Sequence, residues 1–165
     1  MKSSNTKHLL PVALLAVAAY AIGNGNLFGL GDEPGTVTLE HINPNATFGL
    51  SDAVAVHAPG ARFIFLSGQV GFSPTGVPED LGEQADVAFG NVIKQLKDAG
   101  AGPEDVVKIN TYIKDLDLAK AQVVGAAKNK YFTADKQPAS TWVGVTGLVL
   151  PNLLVEVEAI AVVSE

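Results

Sequence analysis

Val106-Val107-Lys108-Ile109-Asn110-Thr111-Tyr112-Ile113 alternates in a period of two. Val107, Ile109, Thr111 and Ile113 share one side; Lys108, Asn110 and Tyr112 share the other. That pattern predicts a β-strand with one buried face. The flanking sequence says what covers the face. Upstream, Ala85, Phe89, Val92, Leu96 and Ala99 recur at helical spacing, which predicts a helix from about Asp80 to Ala99. Gly100 follows where a left-handed C-terminal cap favours glycine. Downstream, Asp117 can cap a second helix running to about Phe132, with Ala119, Val123, Ala127 and Tyr131 on one stripe.

Further out the pattern returns to strands. Thr36 to His41 alternates weakly, and Ala53 to Val56 is a short strand candidate. His57-Ala58-Pro59-Gly60 is a turn signal before the β-forming run Arg62 to Leu66, so these segments read as a hairpin. Ser67-Gly68-Gln69-Val70-Gly71 follows, then a turn at Ser73-Pro74-Thr75-Gly76. Thr141 to Val149 and Leu154 to Val163 are the final strands, joined across Pro151-Asn152. The order is strands, helix, strand, helix, strands. It predicts an α+β fold, a mixed sheet with two helices packed on one face. In the last strand Val155, Val157, Ala159, Ala161 and Val163 point one way. The opposite side carries Ile160 and Val162 beside Glu156 and Glu158. An apolar second face predicts self-association.

The composition narrows the function classes. The net charge is −6, and Arg62 is the sole arginine, which is not the footprint of a nucleic-acid binder. There is no cysteine, which excludes thiol catalysis and cysteine-ligated zinc. No histidine pair has metal-ligand spacing, and no Ser-His-Asp set can be assembled from His8, His41 and His57. The N-terminus reads separately. Lys2, Lys7 and His8 precede an apolar run from Leu9 to Ile22, and Ala19-Tyr20-Ala21 has the small-x-small form of a cleavage site. Residues 1–21 are expected to be a signal peptide directing secretion or periplasmic export; the alternatives are an uncleaved membrane anchor and a tail with no targeting role. Residues 22–35 read as linker and 36–165 as one domain. Asn45-Ala46-Thr47 is a glycosylation sequon, meaningful only in an exported eukaryotic chain.

Several segments then carry a resemblance. Phe65-Leu66-Ser67-Gly68-Gln69-Val70, the stretch Val106 to Leu116, Pro138-Ala139-Ser140, and Val155-Glu156-Val157-Glu158-Ala159-Ile160-Ala161 occur in this order. Together they resemble the Rid family of imine deaminases. It is also called the YjgF family and carries an older endoribonuclease label. The resemblance covers about Ala46 to the C-terminus. It implies a chorismate-mutase-like fold and a homotrimer with ligand clefts between subunits. It also implies hydrolysis of reactive enamines and imines to keto acids and ammonia, without metal or cofactor.

That reaction needs a cation for the substrate carboxylate, a positioned water, and a group that shuttles a proton. The resemblance assigns catalysis to Glu156 and Ser67, and substrate contacts to Gly68, Gln69, Ser140, Thr141, Leu50 and Trp142. Two positions depart from the family pattern. Pro-Ala-Arg-(Ser/Thr) reads here Pro138-Ala139-Ser140-Thr141, so Ser140 stands in place of the carboxylate-binding arginine. Leu50 stands where a tyrosine is usual. Arg62 is a poor substitute: it precedes Ser67 by five residues, about 16 Å along a strand and on the opposite side.

Each assignment has a plainer alternative. Ser67 can simply bond its own turn. Ser140 and Thr141 can be ordinary strand residues at a subunit interface, and Trp142 can be packing. Glu156 can be a structural hydrogen-bond acceptor, and Glu158, two residues on, points to the same side. Three functions remain: an imine or enamine hydrolase of altered scope, a non-catalytic metabolite-binding trimer using the same cleft, and RNA cleavage, which the acidic charge disfavours. In each of the first two, the partner is a small molecule; membrane contact is expected only if residues 1–21 stay attached.

Overall fold

The computed structural model describes residues 35–165. The expected signal segment, and the expected linker apart from Gly35, lie outside the described residues. Thr36–Glu165 forms one compact unit.

Strands β1 (Thr38–Asn45), β2 (Leu50–Ala58) and β3 (Ala61–Leu66) form an antiparallel meander. The β2–β3 turn is Pro59-Gly60, and Gly60 takes a φ of 76°, a conformation that glycine reaches without a Cβ penalty. A two-residue strand, β4 (Gln69–Val70), leads toward helix α1 (Leu81–Asp98). Then come β5 (Val106–Lys114), α2 (Leu118–Lys128), β6 (Ala139–Val145) and β7 (Val155–Ser164). The sheet runs β1-β2-β3-β7-β5-β6, with β4 also paired to β7. All pairings are antiparallel except β5 with β6, so the sheet is mixed. The last strand in sequence therefore lies between β3 and β5 and joins the two halves.

Both helices begin and end by local chemistry. Asp80 caps α1 by accepting from Glu83 N at 3.0 Å. The α1 C-terminus closes with Ala101 N donating to Leu96 O at 2.8 Å around Gly100, whose φ is 71°. Asp117 caps α2 through Lys120 N at 2.8 Å. The core lies between the helices and one face of the sheet. Phe89, Val92 and Leu96 of α1 meet Ile64, Ile109, Ile113, Val155 and Val157, all fully buried. Buried Gln84 ties α1 to the loop before β7. Its amide donates to Pro78 O and Asn152 O and accepts from Leu154 N.

Four local readings need correction. Val107 is exposed while Val106 is buried, because a bulge between Val106 and Lys108 shifts the register and turns Val107 outward. The buried stripe of α2 is Val124 and Ala127; Ala119 and Val123 are exposed, and the helix stops at Lys128 before Tyr131. Strand β6 ends at Val145, and residues 146–154 form a loop where the sequence suggested strand as far as Val149. At the other edge, β1 begins at Thr38 and extends to Asn45, four residues beyond the expected His41.

Candidate functional site

On β7 the odd positions Val155, Val157, Ala159 and Ala161 are buried under the helices, and Glu156 and Glu158 point to the other face. The two carboxylates have different surroundings. Glu158 accepts from Asn110 Nδ2 at 2.6 Å and from the Tyr112 hydroxyl at 3.1 Å. That bond to Glu158 is the main reason the Tyr112 hydroxyl is held above its ordinary pKa. Glu156 sits between Tyr112 of β5 and Val70 of β4. Among the described residues no donor reaches its carboxylate. Burial raises the Glu156 pKa above the usual carboxylate value, and the neighbouring Glu158 charge raises it further.

The Glu156 carboxylate lies against the backbone of Gly68. A Cβ built on Gly68 would come within 2.7 Å of Glu156 Cδ and closer still to one carboxylate oxygen. Glycine at this position is thus a packing requirement of the acid. Gly68 also opens onto a cleft of about 460 Å³. Phe48, Leu50 and Asp52, from the end of the β1–β2 hairpin, form one wall. Ser67, Gly68, Gln69 and Val70 form the floor, and Asn91, Lys94 and Gln95 of α1 form the other wall. Asn91 fixes the floor, since its amide donates to Val70 O at 3.0 Å and Phe72 O at 3.1 Å.

The structure therefore brings Leu50, Ser67, Gly68 and Gln69 together, with Glu156 behind Gly68. The Ser67 hydroxyl is engaged, donating to Ser51 O at 2.6 Å. The Gln69 amide donates to Ser67 O at 3.0 Å. Ser140, Thr141 and Trp142 are elsewhere in the same chain. They lie on β6, three strand spacings from β3, or about 14 Å. Ser140 Oγ accepts from Trp142 Nε1 at 2.8 Å. The Trp142 ring packs toward α2, where a Cβ on Gly125 would sit 3.5 Å from it, and so turns away from the open face. Thr141 does point to the open face and accepts from Lys108 Nζ. Arg62 is engaged away from the cleft: its guanidinium donates to Ala99 O at 2.6 Å and Gly100 O at 3.1 Å and pairs with Glu165, whose carboxylate lies 3.1 Å from Nε.

The sequence reading missed Asp52, Asn91, Lys94 and Gln95. The one signal available was polar character on the upstream helix beside its apolar stripe. Among the described residues no cluster of His, Asp and Glu could hold a metal ion.

Comparison with known proteins now adds to this geometry. The family model described as Endoribonuclease L-PSP matches residues 42–163. The chain belongs to that family, the Rid or YjgF family. Among curated Rid relatives, a RutC family protein of Pyrococcus abyssi is 41% identical over 104 residues, covering 61% of this chain and 78% of its own. The Escherichia coli protein named 2-iminobutanoate/2-iminopropanoate deaminase is 38% identical over 106 residues, covering 61% and 80%. Among solved Rid structures, RidA from an Antarctic Psychrobacter superposes with a TM-score of 0.62 at 30% identity, covering 73% of this chain and 93% of that one. The two helices on a mixed sheet are the Rid architecture.

Proposed function

We propose that this Rid domain hydrolyses small reactive imines or enamines. The carrying observation is Glu156, a half-buried carboxylate with a raised pKa, lying against Gly68 beside the cleft. A carboxyl tuned upward serves proton transfer near neutral pH better than an ordinary one. In the proposed step, water adds to the imine carbon and Glu156 accepts its proton. The proton passes to nitrogen. The carbinolamine then collapses, the C–N bond breaks, and ammonia leaves a carbonyl compound behind. One water is consumed, and both its protons end on nitrogen.

The separation of Ser140 and Thr141 from Glu156 supports a site completed by a neighbouring copy. The apolar open face, with Phe63, Phe65 and Val143 partly exposed, gives such copies a surface to share. We therefore propose a homotrimer with small-molecule clefts between subunits. Export by residues 1–21 belongs to the same proposal. A mature protein beginning at Ile22 in an exported fraction supports it; a protein found only in the cytoplasm, with residues 1–21 attached, overturns it.

The test of catalysis uses the full-length chain and freshly generated 2-iminopropanoate. Wild type should consume the imine above background, and Glu156→Gln should lose about 10²–10⁴-fold in kcat. A wild type that matches background overturns hydrolysis. That result favours the second reading, a metabolite-binding trimer, which rests on Ser140 in the arginine's place.

A further inference from the structure

Strand β5 serves the two carboxylates of β7 unequally. Asn110 stands opposite Glu158 in register, and Tyr112 stands opposite Glu156. Asn110 donates to the acid it faces, with Nδ2 2.6 Å from Glu158 Oε1. Tyr112 does not. Its hydroxyl crosses diagonally and donates to that same Glu158 oxygen at 3.1 Å. One carboxylate thus collects both donors, and Glu156 receives neither. A negative charge is thereby fixed two residues from Glu156 on the same face, about 6–7 Å along the strand. A donor favours the charged form of the acid it reaches, and a like charge nearby disfavours it in the acid left alone.

The other ionisable groups around Glu156 are directed elsewhere. Lys108 and Lys114 lie on this face of β5, and their ammonium groups donate to Thr141 Oγ1 and Pro151 O. Strand β4, on the other side of Glu156, carries no ionisable group. Across Gly68 the cleft holds Asp52 and Lys94, and Lys94 is paired with Asp98 at 2.7 Å. Burial comes first in raising the Glu156 pKa, and Glu158 is the charge that adds to it.

We propose that Glu158 is a positioning residue for the hydrolysis: held by Asn110 and Tyr112, its charge strengthens Glu156 as the proton acceptor. Two carboxylates in unlike surroundings divide the labour, one exchanging a proton and the other keeping its charge. Tyr112 belongs to the device because its hydroxyl is withheld from the acid it faces. This deepens the proposed hydrolase reading and rests on that reading for its role in turnover.

The test follows Glu156 itself, so it does not depend on turnover. Carbon NMR of the full-length protein with labelled glutamate carboxyls gives the titration midpoint of Glu156, assigned by the signal lost in Glu156→Gln. Glu158→Gln keeps the shape of the side chain and removes its charge, so the Glu156 midpoint should fall. Glu158→Asp keeps the charge and should hold the midpoint nearer the wild-type value. Tyr112→Phe releases one of the two bonds to Glu158 and should lower the midpoint by less than Glu158→Gln does. With 2-iminopropanoate, the acid limb of the kcat/KM profile in Glu158→Gln should move to lower pH with the midpoint. Its plateau kcat should fall about threefold to tenfold, because the proton acceptor is weaker. A midpoint that falls in Glu158→Gln, with no imine turnover by wild type, upholds the action of Glu158 on Glu156 and removes the hydrolase reading. Imine turnover with the midpoint and the acid limb unmoved in Glu158→Gln upholds hydrolysis and overturns the proposal, whatever that variant does to stability. Should Glu158→Gln fail to fold, Tyr112→Phe decides, and an unmoved midpoint there overturns the proposal as well.

Discussion

The two faces of β7 divide the work of the molecule. Val155, Val157, Ala159 and Ala161 are buried under α1 and carry no polar atoms in their side chains. One residue along in each case, Glu156, Glu158, Ile160 and Val162 face away from the helices and are only partly covered. The covered face gains from close packing, where every methylene counts. The open face keeps carboxylates at a cost in desolvation, which a purely structural strand would avoid. The difference teaches that stability and chemistry occupy alternate residues of one strand, so a perturbation of one should leave the other readable.

The largest expected effect tests the covered face. Phe89→Ala empties a fully buried site on α1, and urea unfolding should show a loss of about 3–5 kcal/mol. The activity of the molecules that remain folded should hardly change. A proportional loss of kcat without loss of stability would break the division. Next comes the open face. Gly68→Ala places a methyl where the Glu156 carboxylate sits, so imine turnover should fall by about 10²-fold as the acid is displaced. Thermal melting should move little by comparison. If Gly68→Ala unfolds the protein and leaves the folded fraction active, the glycine serves packing and not the acid.

A smaller effect sharpens the covered side. Asp80→Ala removes the α1 cap and should cost about 1 kcal/mol in denaturant titration, again without a change in KM. The smallest concerns the cost of keeping Glu156 on the open face. Its folded pKa is raised, so the fold favours the protonated carboxyl. Its contribution is fully present below the unfolded glutamate value, about 4.3. It is lost as pH rises through the higher folded value. Glu156→Gln should therefore melt higher than wild type at pH 7. The gain should be small, because the carboxylate is partly exposed and solvent screens it. The difference should vanish below about pH 4. A variant that melts lower at pH 7 would mean that Glu156 is a structural acceptor.

Much of this fold was legible because its strongest signals were local. The period of two along β7, the helical spacing of Phe89, Val92 and Leu96, and the caps at Asp80, Gly100 and Asp117 each state their structure within a few residues. The bulge at Val107 was not legible, since Val106 and Val107 are both apolar and either one can be the buried residue. Helix α2 misled for a related reason. Leu118, Ala119, Val123, Val124, Ala126 and Ala127 permit more than one apolar stripe, and packing against α1 and Trp142 selects the one through Val124. The candidate site divides in the same way. Glu156, Ser67 and Gly68 stand in recognisable motifs. Lys94, Gln95 and Asp52 become part of a cleft only when residues 48–52, 67–70 and 91–95 meet. No local pattern records that meeting.

The place of β7 in the sheet has a consequence for how the chain is made. Translation delivers β1, β2 and β3 first and β5 and β6 later, but the two groups share no backbone pairing without β7 between them. As the ribosome works from the N-terminus, each half waits with an unpaired edge for the same late strand. Completion of the sheet is thus deferred until β7 has emerged, and the waiting edges are where a chaperone would be needed most.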